Sequence, residues 1–197
     1  MEPSTEPTTN FSDEFLKLAQ FDTCGDPERV KLLESATEYA NAIANQQPPH
    51  GLTMLGSSGI GKTHLARALY RWAKMKMPDG YRGGVLWPND IAYMDAATTC
   101  DRFLGGEYGL PNLLKRQDFL VLDDIGTERD PRLTFRSEVQ AIMDRRLGMW
   151  TVVTSNLSFS QLQEYDARLA SRMIRNGSKV CHSRATDYNL EQLKKGN

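Results

Sequence analysis

Apolar residues along this 197-residue chain fall into two rhythms. Short unbroken runs, each bounded by polar or turn-forming residues, lie at residues 51–55, 84–87, 119–123, 150–156 and 179–182. Such runs predict strands buried on both faces. Between them, apolar positions recur at helical spacing. Val30, Leu33, Ala36, Tyr39, Ala40 and Ile43 predict a helix over 26–44. Asp26 as N-cap, Pro27 at the first helical position and Glu28 in the first turn would open it. Leu65, Ala68, Leu69 and Trp72 predict a helix from Thr63, and Phe135, Val139, Ile142 and Met143 one ending near Gly148. Pro88-Asn89-Asp90 reads as the start of a helix to about Leu104, and a short helix is expected near 111–115. A helix beginning at Asp166 is expected over 166–173. Residues 1–10, rich in Pro, Thr, Ser and Glu, are expected to be disordered, and 11–25 to form at most a short helix. Alternating strands and helices call for an α/β fold: a five-stranded, mostly parallel sheet with helices on both faces. Ligands in such folds sit at the carboxyl ends of the strands.

The strand at 51–55 runs directly into Gly56-Ser57-Ser58-Gly59-Ile60-Gly61-Lys62-Thr63, a fit to G-x-x-x-x-G-K-[ST]. Glycines allow the backbone to curl with successive N–H groups aimed at an anion. Lys62 would reach the β- and γ-phosphates of a nucleotide, and the Thr63 hydroxyl would sit on Mg²⁺. The helix beginning there adds the positive end of its dipole. A plain glycine-rich turn would leave Lys62 without a purpose.

Two further strand tips carry chemistry. The run 119–123 ends in Asp123-Asp124. Asp123 would hold the Mg²⁺ shell, and Asp124 would orient or deprotonate the attacking water. Asn156 ends the next run, where it would hydrogen-bond a γ-phosphate or that water, unless Ser155 or Asn156 caps the following helix. Arg168 and Arg172 lie one helical turn apart.

Bulk properties add limits. A net charge of −1 and 25% charged residues exclude a polyanion binder by charge alone. From residue 164 onward, seven Lys/Arg stand against four acids, a local excess that would suit phosphates or an acidic partner. No apolar run approaches the roughly 20 residues of a membrane span, and residues 1–7 lack a secretory signal. Cys24, Cys100 and Cys181 are scattered and odd in number, which points to a reducing cytoplasmic setting.

Gly59 to Ala66, Leu122-Asp123-Asp124-Ile125-Gly126, Thr154-Ser155-Asn156-Leu157 and Arg168 to Met173 together resemble the AAA+ ATPases of the DnaC/DnaI helicase-loader and IstB transposition-ATPase group. His64 after Thr63, and Asp rather than Glu at Asp124, sharpen the likeness. The resemblance implies a three-layer P-loop (ASCE/AAA+) domain over 26–190 with little or no C-terminal lid. A flexible leader (1–25) and a short tail (191–197) would flank it. It implies Walker A at Gly56, Ser57, Ser58, Gly59, Ile60, Gly61, Lys62 and Thr63, with His64 beside it, and Walker B at Asp123 and Asp124. Asn156 matches sensor 1. Arg172, with Arg168 as runner-up, matches the arginine finger that completes a neighbouring subunit's site. The implied ligands are ATP and Mg²⁺. The implied partners are a replicative helicase or a transposase, single-stranded or duplex DNA, and further copies of the chain in an ATP-dependent oligomer. The segment 87–104 resembles the part that marks initiator-type members and would touch DNA. Asp187-Tyr188-Asn189 stands where the group often has Asp-x-Tyr-Arg, so the sensor 2 cation is missing unless Arg184 replaces it. Slow hydrolysis, or switching by binding alone, follows. A small-molecule P-loop kinase would share Walker A but gives no reason for Asn156 and Arg172 in this order.

Overall fold

The structure, a computed structural model, describes residues 11–77, 80–82, 85–87, 90–175 and 178–195. In chain order the elements are α1 (Phe11–Ala19), α2 (Pro27–Asn45), β1 (Gly51–Leu55), α3 (Lys62–Lys76), β2 (Gly80–Arg82), β3 (Val85–Trp87), β4 (Ile91–Asp95), α4 (Ala96–Leu104), α5 (Leu110–Leu114), β5 (Phe119–Ile125), α6 (Thr134–Arg145), β6 (Trp150–Ser155), α7 (Phe159–Met173), β7 (Lys179–His182) and α8 (Tyr188–Lys195).

Five strands form one parallel sheet in the order β4-β5-β6-β1-β7. Strand alternation divides its side chains between two cores. Phe119, Val121, Leu52, Met54 and Val152 face α1, α2 and α3, where Phe15, Tyr39, Leu69 and Trp72 fill the space. Leu120, Leu122, Leu55 and Val153 face the opposite layer, with Phe135, Ile142, Leu162 and Leu169. The expected three-layer α/β fold with a five-stranded sheet is therefore present.

Its second strand is not the expected one. Residues 85–87 pair antiparallel with β2 in a separate hairpin, and Gly84, Pro88 and Asn89 lie outside the described residues. The sheet strand is β4, inside the stretch expected to be helical from Asp90. Its side chains divide between the layers, Ile91 and Tyr93 to one and Ala92 and Met94 to the other. The helix starts one strand later, at Asp95, whose carboxylate accepts from Thr98 N at 2.8 Å.

Other boundaries moved for reasons of packing. Asp26 caps α2 as expected, but Val30 is exposed and Leu32 takes its place in the core. The short helix expected within 11–25 is α1, which takes residues 11–19 out of the flexible leader and buries Phe15 edge-on against Trp72 at 5.7 Å; residues 1–10 lie outside the described ones. Neither Ser155 nor Asn156 caps α7. Ser158 does, in a reciprocal capping box with Gln161. Asp166 interrupts α7 with an extended backbone (φ −163°, ψ 102°) and caps the second half by accepting from Leu169 N at 2.9 Å. The expected tail from 191 continues α8 to Lys195.

Arg146 is 3% exposed, and no carboxylate among the described residues is bonded to it. Its guanidinium donates to the carbonyls of Leu114, Gln117 and Trp150 and to the Thr151 hydroxyl. It thereby joins the end of α5 to the start of β6. Burial pulls its pKa down from 12.5 to about 10, so it stays charged at neutral pH.

Candidate nucleotide site

The loop between β1 and α3 has a shape only its glycines permit. Gly61, the residue before α3, has φ +101°, and a Cβ there would meet Phe21 Cε2 at 2.3 Å. Gly59 has φ +74° and lies against the Asp187 carboxylate. Lys62 is 5% exposed. Its ammonium turns back into the loop, donating to Gly56 O at 2.8 Å, Ser57 O at 2.7 Å and Asn156 Oδ1 at 2.9 Å. Burial lowers its pKa from 10.5 to about 8, partly offset by the charges of Asp124 and Asp123.

The tips of β5 and β6 face this loop. Asp123 is 2% exposed and receives three hydroxyls. Thr63 and Thr154 donate to Oδ1 at 3.2 and 2.6 Å, and Tyr93 donates to Oδ2. A regular strand would point Asp124 to the opposite face. Instead the ladder between β5 and β6 slips between Leu122 and Ile125, and Asp124 adopts a left-handed backbone (φ +61°). Its amide is held by Thr154 Oγ1 at 2.8 Å, and its carboxylate accepts from Asn156 Nδ2 at 2.5 Å. Asn156 thus links Lys62 to Asp124 through the two ends of one amide. Burial and the neighbouring Asp123 charge raise the Asp124 pKa, opposed by Lys62.

These groups border a cleft of about 560 Å³. Ser58, Gly59, Ile60, Gly61, Lys62, Thr63, His64, Asp124 and Asn156 line it. Gly56 and Ser57 sit behind Lys62, and Asp123 behind Thr63. The Ile60 side chain faces inward and is 1% exposed, so it anchors the loop to the core. His64 Nε2 meets Ala19 O, and its ring lies against Phe21.

At its far end, Gln20, Phe21, Asp22 and Arg29 line the cleft together with Tyr188 and Asn189. The first four were not foreseen, whereas Tyr188 and Asn189 belong to the stretch matched to sensor 2. Tyr188 N donates to Gly59 O at 3.0 Å and its hydroxyl to Asp22 at 3.1 Å. Arg29 stacks its guanidinium over the Tyr188 ring. Only the Asp-Pro-Glu helix start hinted that this connection would be fixed in place. Arg172 lies outside the cleft, bonded through Nε and Nη2 to Asp144 on α6. Arg184 is exposed and does not line the cleft.

The donors suit a polyphosphate: an ammonium, loop N–H groups and a helix N-terminus. Among the described residues, no group of three or more His, Cys, Asp and Glu could hold a metal by itself. The oxygen set of Thr63, Asp123 and Asp124 fits Mg²⁺, which takes one or two carboxylates and fills its shell with phosphate and water. Among the described residues, no helix is long and apolar enough to cross a membrane.

No family model and no curated protein matches the sequence. Solved structures do. DnaA bound to AMPPCP and single-stranded DNA superposes with a TM-score of 0.64 at 23% identity, covering 90% of this chain. The chain spans about half, 54%, of that DnaA. The DnaC helicase loader gives 0.57 at 22% identity, covering 87% of this chain and 99% of that one. DnaI gives 0.60 at 22%, covering 88% and 92%. The fold of the chain is therefore the one shared by these DnaA, DnaC and DnaI structures.

Proposed function

We propose that this chain binds and hydrolyses Mg²⁺-ATP and works in DNA replication as a factor of the helicase-loader type. The observation that carries the reading is the chain of contacts Lys62–Asn156–Asp124 beside Thr63–Asp123. It brings the loop cation, the paired acids and the strand-tip amide to one cleft. The triphosphate would lie along the loop N–H groups, drawing Lys62 off the Gly56 and Ser57 carbonyls. Thr63 and Asp123 would hold Mg²⁺, which offsets phosphate charge when bound. Asp124 and Asn156 would hold the attacking water. Its oxygen bonds to the γ-phosphorus, its proton passes to Asp124, and ADP leaves with the electrons of the broken P–O bond. Burial that raises the Asp124 pKa favours that acceptance.

The replication role rests on likeness of fold to DnaC and DnaI, and the DNA contact on the DnaA complex with single-stranded DNA. The partner would be a replicative helicase, and the working form an oligomer assembled with ATP. The decisive experiment is calorimetric titration with ATP and Mg²⁺, followed by phosphate release with and without DNA; no heat of binding would overturn the reading. Asp124→Asn is expected to keep ATP affinity within about twofold and slow hydrolysis about 100-fold, at the low end for loss of a general base. In an oligomer, Arg172 would leave Asp144 and face the γ-phosphate of the next subunit. Arg172→Ala should then cut assembly-dependent hydrolysis about 1,000-fold with single-chain binding intact, at the lower end of arginine-finger effects. Unchanged hydrolysis in the assembled variant would remove Arg172 from that role.

A further inference from the structure

Asp123 is held by hydroxyls on both of its oxygens, and the two sides are not equivalent. Thr63 and Thr154, from the phosphate-loop helix and the neighbouring strand, converge on Oδ1. Tyr93, from the edge strand β4, is the donor on Oδ2. A carboxylate bonded at one oxygen can still turn about its Cβ–Cγ bond. One bonded at both oxygens presents a fixed plane.

Tyr93 reaches Asp123 because of register. In the β4–β5 ladder Tyr93 stands opposite Val121 and Asp95 opposite Asp123. Tyr93 is therefore two positions short of the acid on the same face, a diagonal that a phenol spans. Its ring is itself held. Tyr70 meets it edge-on at 5.8 Å, and the Arg67 guanidinium lies over it at 5.8 Å. Arg67 and Tyr70 follow Thr63 by four and seven residues, on one stripe of α3. One helix thus supplies a hydroxyl to Oδ1 and the cradle for the phenol that serves Oδ2.

We propose that Tyr93 is a positioning residue for the divalent cation, fixing the Asp123 carboxylate so that Oδ1 and the Thr63 hydroxyl face the ion together. The role rests on the nucleotide reading and adds to it a residue from the edge strand. Partners that orient a ligating carboxylate are worth about 10- to 100-fold in metal affinity.

The test is Tyr93→Phe, which keeps the ring between Tyr70 and Arg67 and removes only the hydroxyl. Binding of a fluorescent ADP analogue is followed against Mg²⁺ concentration, with parallel binding in EDTA and a thermal melt. The Mg²⁺ concentration at half-maximal binding should rise about tenfold, at the lower end of that range. EDTA binding should match the wild type, and the loss of one donor to a buried carboxylate should lower the melting temperature by only about 2–6 °C. A midpoint that is unchanged or lower would overturn the role, as would equal losses in Mg²⁺ and EDTA, which mark a merely structural hydroxyl. A wild type with no Mg²⁺-dependent binding would overturn the nucleotide reading itself. A Mg²⁺-dependent wild type beside an unshifted variant overturns only the role of Tyr93.

Discussion

Lys62→Met is expected to weaken ATP binding by about 100-fold or more. The ammonium donates to Gly56 O, Ser57 O and Asn156 Oδ1. Methionine has similar length and no donor, so it keeps the packing and loses the charge. Charge-assisted contacts to phosphate in a partly dry site are worth about 3 kcal/mol, and about 1.4 kcal/mol is tenfold in affinity. Titration calorimetry of both proteins checks it; affinities within threefold would mean that the loop does not hold phosphates. The same variant carries a pH signature. The Lys62 pKa falls from 10.5 unfolded to about 8 folded. Below pH 8 the lysine is protonated in both states and the burial cost is fully present. Between about 8 and 10.5 only the unfolded chain keeps the proton, so wild-type stability gains with rising pH. Methionine has no such gain. The stability of Lys62→Met relative to wild type should therefore decline from pH 7 to pH 9.5, read from urea midpoints.

Arg146→Leu is expected to cost about 3–4 kcal/mol of folding stability, a fall in melting temperature of about 10 °C for a chain of this size. Leucine fills much of the volume but leaves the Leu114, Gln117 and Trp150 carbonyls without their shared donor. The gain from no longer burying a charge offsets part of that loss. Urea unfolding with an unchanged slope checks it. Arg146→Lys should recover less than half, because one ammonium cannot span the fork of acceptors. A cost below 1 kcal/mol would mean that water replaces the guanidinium freely.

The glycine loop was legible because its signal is local. Glycine spacing, Lys62 and the following apolar stripe are read from adjacent residues, and the loop and helix stand where expected. The acids and Asn156 were legible as strand ends, though not the slip in the ladder that swings Asp124 toward Asn156. Residues 90–104 were misread because Asp90 imitates an N-cap and a five-residue strand is too short to show its period. What makes β4 a strand is its pairing with β5, nearly thirty residues on. Phe15 shows the same limit: nothing near it in sequence foretells Trp72. The Arg172–Asp144 pair and the reach of Tyr93 depend on side chains 28 and 30 residues apart.

Tyr188 and Asp22, 166 residues apart, meet beside the glycine loop. The rim of the cleft therefore has two margins, drawn from segments far apart in the chain and joined by a solvent-exposed bond of the kind that opens at least cost. Warming or mild denaturant would open this seam while the central sheet stays intact, and the cleft would lose its guest before the protein melts. A bound guest works the other way, acting as a rivet through both margins and resisting their fraying in proportion to its occupancy.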